Sequence, residues 1–308
     1  MTQMIARRIL VSLLVLWAIV SASFFLVRLA PGGPFDSERQ LAPATRTQLL
    51  QKYGLDRPLF EQYLRYLSGL AHLDFGPSLK YPDKAVGEIL AEGLPYSMLT
   101  GGLALVVAIP AGFGCAAFSA TGRHPLANRL LNGAALVGIS LPSMIIAPLL
   151  ILVVSLWLGL LPAGLWDGPE HVVLPVLSLA LPLGARIFML AREKMLASVA
   201  TGWFQAALAR GIGRRQLLAH LLKNTLAPLA AFIAPATAAL LTGSIVIETI
   251  FVLPGIGRHF VQAAFNRDFT LIIGVVIVYS TLLILLNLLA DILLLILDPR
   301  GRTIREVR

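Results

Sequence analysis

The chain alternates long apolar runs with short polar breaks. From Ile9 to Val27 there is no charged residue over 19 positions, close to the roughly 20 residues that cross a ~30 Å hydrocarbon core. Further stretches repeat the pattern, which predicts six spans near 8–29, 96–120, 129–158, 172–196, 226–250 and 270–297. Backbone groups in lipid must be satisfied within their own segment, so spans of this length are helices. The expected fold class is all-α, a polytopic membrane bundle of six transmembrane helices. Pro110, Pro142 and Pro182 fall inside spans, which membrane helices accept where neighbours re-satisfy the freed backbone.

Arg7 and Arg8 before an apolar core, with Ser21–Ala22–Ser23 near its end, have the outline of a signal peptide. The run continues through Phe24, Phe25, Leu26 and Val27, long enough to span, and is read as an uncleaved first helix. Residues 30–95 are too polar to cross. They carry apolar residues at three- and four-residue spacing, with Gly54, Pro58, Gly76 and Pro77 as stops. Leu59, Phe60, Tyr63, Leu64, Tyr66, Leu67 and Leu70 predict an amphipathic helix, lying on the membrane or capping its external mouth. The expected organisation is a first transmembrane helix at 1–29, an extracytoplasmic helical insertion at 30–95, and a five-helix core at 96–308 with a cytoplasmic segment at 197–225.

Charge sets the orientation. One set of connections holds Arg7 and Arg8; Arg123 and Arg129; Arg192, Lys194, Arg210, Arg214, Arg215 and Lys223; and Arg300, Arg302, Arg305 and Arg308. The opposite loops, 159–171 and 251–269, hold only Arg258 and Arg267 as Lys or Arg. An excess of Lys and Arg marks the cytoplasmic side, so both termini are expected there. In a chain that is 57% hydrophobic and 13% charged, this accounts for the net charge of +9. Nucleic-acid binding is excluded, because no aromatic-and-basic groove pattern accompanies the charge. Cys115 has no second thiol to bridge to, and no Cys/His spacing suits a metal.

Between spans four and five, "WFQAALARGIGRRQLLAHLLKNTLAP" (203–228) breaks into two helical pieces around Gly211–Ile212–Gly213. Leu217, Leu218, Leu221 and Leu222 form a narrow apolar ridge, with Arg214, Arg215, His220 and Lys223 around it. Asn224 and Pro228 are read as the end of the second piece. Composition leaves two readings, a basic loop resting on anionic lipid or a knob that seats in a partner's cleft.

"QAALARG" (205–211) resembles the "EAA…G" motif of binding-protein-dependent ABC importer permeases, with Gln205 where that family has Glu. "GIGRR" is one residue shorter than the peptide-transport form. "SFFLVRLAPGGPF" (23–35), "DFGPSLKY" (74–81), "GSIVIETIFVLPGIGRHFVQAAFNRDFTLI" (243–272) and "DPR" (298–300) carry the similarity along nearly the whole chain. The resemblance is to the first membrane subunit of oligopeptide or dipeptide importers, and it implies the type I ABC importer permease fold. It also implies a coupling segment at Gln205, Ala206, Ala207, Gly211, Arg214, Arg215, Leu217 and Leu218, which docks on a cytoplasmic ATPase. The partners so implied are a second homologous permease, two ATPase subunits that bind the ATP, an extracytoplasmic peptide-binding protein, and membrane lipid. Nickel importers share this architecture.

The chain has no phosphate-binding G-x-x-x-x-G-K-[ST] loop and no hydrolase motif, so it is read as a transport subunit with no ATPase site or cofactor of its own. The rival reading, a secondary transporter or channel acting alone, needs ionisable groups inside the bundle. The few polar groups there are Arg186, Glu248 and Asp291 with the amide of Asn287, and no chain of carboxylates suits a proton relay. Arg186 faces either the pathway or a partner helix. Glu248, Pro254, Gly255, Gly257, Arg258, Arg267 and Asp268 form the candidate external gate or receptor-facing edge.

Overall fold

The structure, a computed structural model, describes residues 2–29, 32–35, 43–120 and 124–297. Arg123, Pro31 and the chain from Asp298 onward, with its "DPR" and terminal arginines, lie outside the described residues. The helices in order are α1 (Thr2–Leu29), α2 (Pro43–Lys52), α3 (Leu59–Ala71), α4 (Val86–Ala120), α5 (Pro125–Ser140) and α6 (Ser143–Leu150). They continue with α7 (Val173–Val199), α8 (Gly202–Ala209), α9 (Arg214–Leu241), α10 (Ile245–Ile250), α11 (Ile256–Asn266) and α12 (Phe269–Leu297).

Five of these are long and apolar enough to cross a membrane, and a bent pair supplies a sixth crossing if counted as one. That pair is α5 and α6 with the π-helical turn Ile151–Trp157, bent by 109° at the break. The bend corrects the expected continuous span at 129–158. Leu141 precedes Pro142 and is forced into extended backbone, φ −90° and ψ 120°, because the proline ring disfavours the helical region before it. Pro148 inside α6 removes a further backbone donor, and the wider π turn follows.

Two more boundaries differ from expectation. α4 begins at Val86, ten residues before the predicted start of the second span. Asn224 and Pro228 do not end a helix: α9 runs unbroken from Arg214 to Leu241 with Pro228 and Pro235 inside it. The second half of the expected cytoplasmic segment and most of the fifth span are therefore one rod. It stops at Gly243, and Ser244 restarts the chain as α10, its hydroxyl accepting from Ile247 N at 3.4 Å.

By internal packing the chain forms two compact units, Met1–Ser97 with Pro254–Ile284, and Met98–Leu253 with Leu285–Arg308. In the first, Phe24 of α1 is fully buried between Tyr63 and Tyr66 of α3, with ring centroids at 5.3 and 5.8 Å. Arg28 lies 3.5 Å over the Phe24 ring and donates to Gln62 Oε1 at 3.2 Å. The predicted amphipathic helix thus turns Tyr63, Tyr66, Leu67 and Leu70 inward and leaves Leu59, Phe60 and Leu64 exposed. A second cluster joins Val86, Ile89 and Leu90 to Ile256, Ala263, Leu271 and Val275.

The second unit is organised by α7. Leu174, Leu179, Leu183 and Ile187 pack with Ala104 and Ala108 of α4, Leu229 of α9, and Ile247 and Phe251. In lipid such packing is held by close van der Waals contact between helices with small residues rather than by exclusion of water.

Candidate functional site

The QAALARG segment is α8, and its end is built by backbone chemistry. Gly211 has φ +75°. Its N–H donates to Leu208 O at 2.9 Å, and Ile212 N–H donates to Ala207 O at 3.2 Å. This pair of bonds is the glycine-terminated helix cap in which left-handed backbone returns two donors to the last turn. Gly213, in extended backbone, then starts α9. The seam between the helices is apolar: Phe204, Ala207, Leu217 and Leu221 are buried together, with Val199 and Ile212 against them. Gln205 Nε2 ties the pair back by donating to Val199 O at 3.2 Å.

This geometry sorts the expected coupling residues. Gln205, Ala206, Gly211 and Arg215 are exposed, Leu218 is half-buried, and Ala207 and Leu217 are interior. The side chain of Arg214 lies outside the described residues. The leucine ridge read from the sequence is therefore mostly consumed in joining α8 to α9. Trp203 and Leu208, 40% and 47% exposed, supply the outward apolar surface instead. The sequence reading put Trp203 at the start of this segment but neither residue among the coupling positions, because an eight-residue helix is too short for its two faces to be told apart by periodicity.

In the first unit, three of the sequence motifs meet. Asp268, fully buried, accepts from Ser78 Oγ of the "FGPSLKY" stretch, from Leu79 N at 3.2 Å and from Lys80 N at 3.4 Å. It also caps α12, accepting from Leu271 N at 3.1 Å, which satisfies a donor that a helix start otherwise leaves open. The Thr270 hydroxyl donates to Pro77 O at 2.8 Å. Beside this clamp, Phe35 of "PGGPF", Leu79 and Phe269 form one buried cluster. Arg267 adopts left-handed backbone, φ +57°, and its guanidinium covers Gly32, φ +91°, where any Cβ would collide with it.

These contacts place the expected edge residues. Gly255, Gly257 and Asp268 are buried, while Pro254, Arg258 and Arg267 are half-buried. Ile256 N donates to Ser97 Oγ at 3.0 Å, fixing the start of α11 as the short helix expected after Pro254–Gly255. The exposed side of α11 is Ala264, Phe265 and Asn266, with Phe265 83% exposed. His259 on the same helix has a buried Nδ1 with no hydrogen-bond partner. Burial holds its pKa below the usual histidine value. Arg258 and Lys84 lower it further, and Glu92 opposes them. Burial likewise pushes the Tyr66 phenol well above its ordinary value, with Arg28 opposing. In the second unit Glu248 is 2% exposed on α10. Among the described residues no group of His, Cys, Asp and Glu could hold a metal ion.

The family model for the binding-protein-dependent transport system inner membrane component matches residues 108–303, and its N-terminal companion matches residues 1–80. The chain belongs to this family. It is 38% identical over 305 residues to the oligopeptide transport system permease protein OppB of Haemophilus influenzae, covering 98% of this chain and 100% of that one. The OppB of Escherichia coli K12 is 37% identical over the same span. The dipeptide transport system permease protein DppB of Bacillus subtilis is 36% identical over 283 residues, 92% of each chain. The permease is accordingly a multi-pass inner-membrane transport component of type I fold, and it works with a binding protein and a partner ATPase.

Proposed function

We propose that this permease is one of two homologous membrane subunits of an ATP-driven importer that moves oligopeptides or dipeptides into the cytoplasm. Two cytoplasmic ATPase subunits bind and hydrolyse the ATP; this chain performs no chemistry. The pair formed by α8 and the first turns of α9, within residues 203–222, is the handle on which they act. An extracytoplasmic peptide-binding protein delivers cargo to the opposite side, where Pro254, Gly255, Gly257, Arg258, Arg267 and Asp268 form the receptor-facing edge, and Glu248 is a separate gate residue. Both termini are cytoplasmic, as the distribution of Lys and Arg requires.

The observation that carries this reading is the continuity of α9. A rod of 28 residues runs from the capped turn at Gly211 to Leu241, about 40 Å at the rise of an α-helix. A displacement of the α8–α9 knob is transmitted to the fifth span without an intervening hinge loop. The buried seam of Phe204, Ala207, Leu217 and Leu221 makes the knob move as one body. Closure of the ATPase dimer on ATP would push the knob and favour the outward-facing packing, and release would restore the inward-facing one.

The test is reconstitution in proteoliposomes. The permease with its homologous partner, ATPases and binding protein should accumulate a radiolabelled tripeptide only with ATP inside the compartment that holds the ATPases. Peptide flux by this chain alone, driven by a proton gradient, would overturn the proposal. So would a purified complex that lacks any ATPase in mild detergent.

A further inference from the structure

We infer that Arg186 is the permease's own cargo contact, taking the C-terminal carboxylate of the peptide part-way across the membrane. The inference rests on the peptide-importer reading above. Arg186 lies at the centre of α7, thirteen residues from Val173 and from Val199, about 20 Å from each end. It is exposed, and among the described residues no hydrogen bond or ion pair holds it. Other charges on the long helices lie near their ends or have partners: Arg28 sits on Phe24 and Gln62, and Arg192 donates to Ser119 Oγ at 3.0 Å.

The surroundings of Arg186 decide what faces it. Leu183 and Ile187 are buried in the core of the unit. A second face, with Leu181, Gly184 and Phe188, lines an apolar cavity of about 540 Å³ that holds no charged group. What remains is a strip at helical spacing, Pro182, Arg186, Met189 and Glu193, none of it buried. An arginine at this depth facing hydrocarbon is strongly unfavourable, and such groups face a bundle interior or a water-filled route. In an assembly of two homologous chains, equivalent strips are related by a pseudo-two-fold axis, and the proposal sets both against the shared centre line, away from lipid.

A peptide brings one obligatory anion to that line, its terminal carboxylate, and a guanidinium matches a carboxylate with two parallel N–H donors. The strip holds no second cation. Its one acid, Glu193, already pairs with Lys194 at 3.1 Å.

The experiment uses the complete importer in proteoliposomes with trialanine as cargo. Arg186→Gln should lower the uptake rate at saturating binding protein by about tenfold or more, the scale of one charge-assisted hydrogen bond. Arg186→Lys should recover most of it, and the complex should still assemble and hydrolyse ATP without cargo. In a Cys115→Ala background, Arg186→Cys should react with a sulfonatoethyl methanethiosulfonate reagent. Trialanine in transit should slow that labelling, and the wild-type importer's preference for trialanine over its C-terminal amide should vanish in Arg186→Gln. Unchanged uptake by Arg186→Gln overturns the assignment, as expected of an arginine reaching lipid phosphate. An Arg186→Cys variant that never labels, or a preference for trialanine over its amide that Arg186→Gln retains, overturns it too, the former marking a contact buried against the partner permease. A wild-type complex that imports no peptide defeats the underlying reading instead.

Discussion

Ser78 donates its hydroxyl hydrogen to the fully buried carboxylate of Asp268, joining two parts of the chain 190 residues apart. The same carboxylate gathers Leu79 N and Lys80 N from one side and Leu271 N from the other. The loop before α4 and the start of α12 are thus held by one charge. Removing it strands several buried donors, each costing about 1–3 kcal/mol. Asp268→Ala should lower stability by at least about 3 kcal/mol, and Ser78→Ala by about 1.5–3 kcal/mol, the worth of a single bond to a charged acceptor. Thermal unfolding of the detergent-solubilised complex orders the two variants; equal losses would mean that the carboxylate is not the hub.

Gly211 holds the turn between α8 and α9 at φ +75°, with open space where a Cβ would stand. Gly211→Ala therefore meets only backbone strain, about 1–2 kcal/mol, and should keep most peptide uptake. Gly211→Pro cannot reach that φ and loses the donor to Leu208 O. It should insert in the membrane yet lose ATPase association and uptake. Co-purification of the ATPase with each variant is the measurement, and full recovery with proline would remove this turn from the coupling mechanism.

Interior and surface of the knob should fail differently. Leu217→Ala opens the buried seam and should cost about 2–5 kcal/mol of local stability, read as faster hydrogen exchange through α8. Leu208→Asp changes only an outward position and should leave that exchange unaltered while weakening ATPase binding. If Leu208→Asp binds normally, the docking surface lies elsewhere on the pair.

His259 gives α11 a pH dependence. Its folded pKa lies below the ordinary histidine value, so the unfolded chain takes a proton more readily than the native one. Stability is then full above the ordinary value and is lost as pH falls through it. The ion pair of Lys84 with Glu92, 2.7 Å, and Arg258 are the charges that bear on the ring. Melting temperature should fall between about pH 7.5 and 5.5, and His259→Asn should flatten that part of the profile. A variant that retains the full slope would assign the dependence to another group.

The sequence alone determined five of the six expected crossings, the glycine turn that ends QAALARG and the short helix after Pro254–Gly255. Each depends on a local quantity: the length of an apolar run against the thickness of hydrocarbon, or backbone that only glycine or proline adopts readily. Whether Pro142 breaks a helix and Pro228 does not was left to the tertiary structure, since a proline costs one donor in either case and neighbouring packing decides whether the rod survives. The same holds for exposure. Leu217 and Leu208 are both leucines of a helical pair, and only the meeting of α8 with α9 buries one and leaves the other outside. Asp268 read as part of a gate or receptor-facing edge because no local pattern shows its burial; the donors that make burial tolerable arrive from Ser78, Leu79 and Lys80, brought close by the fold.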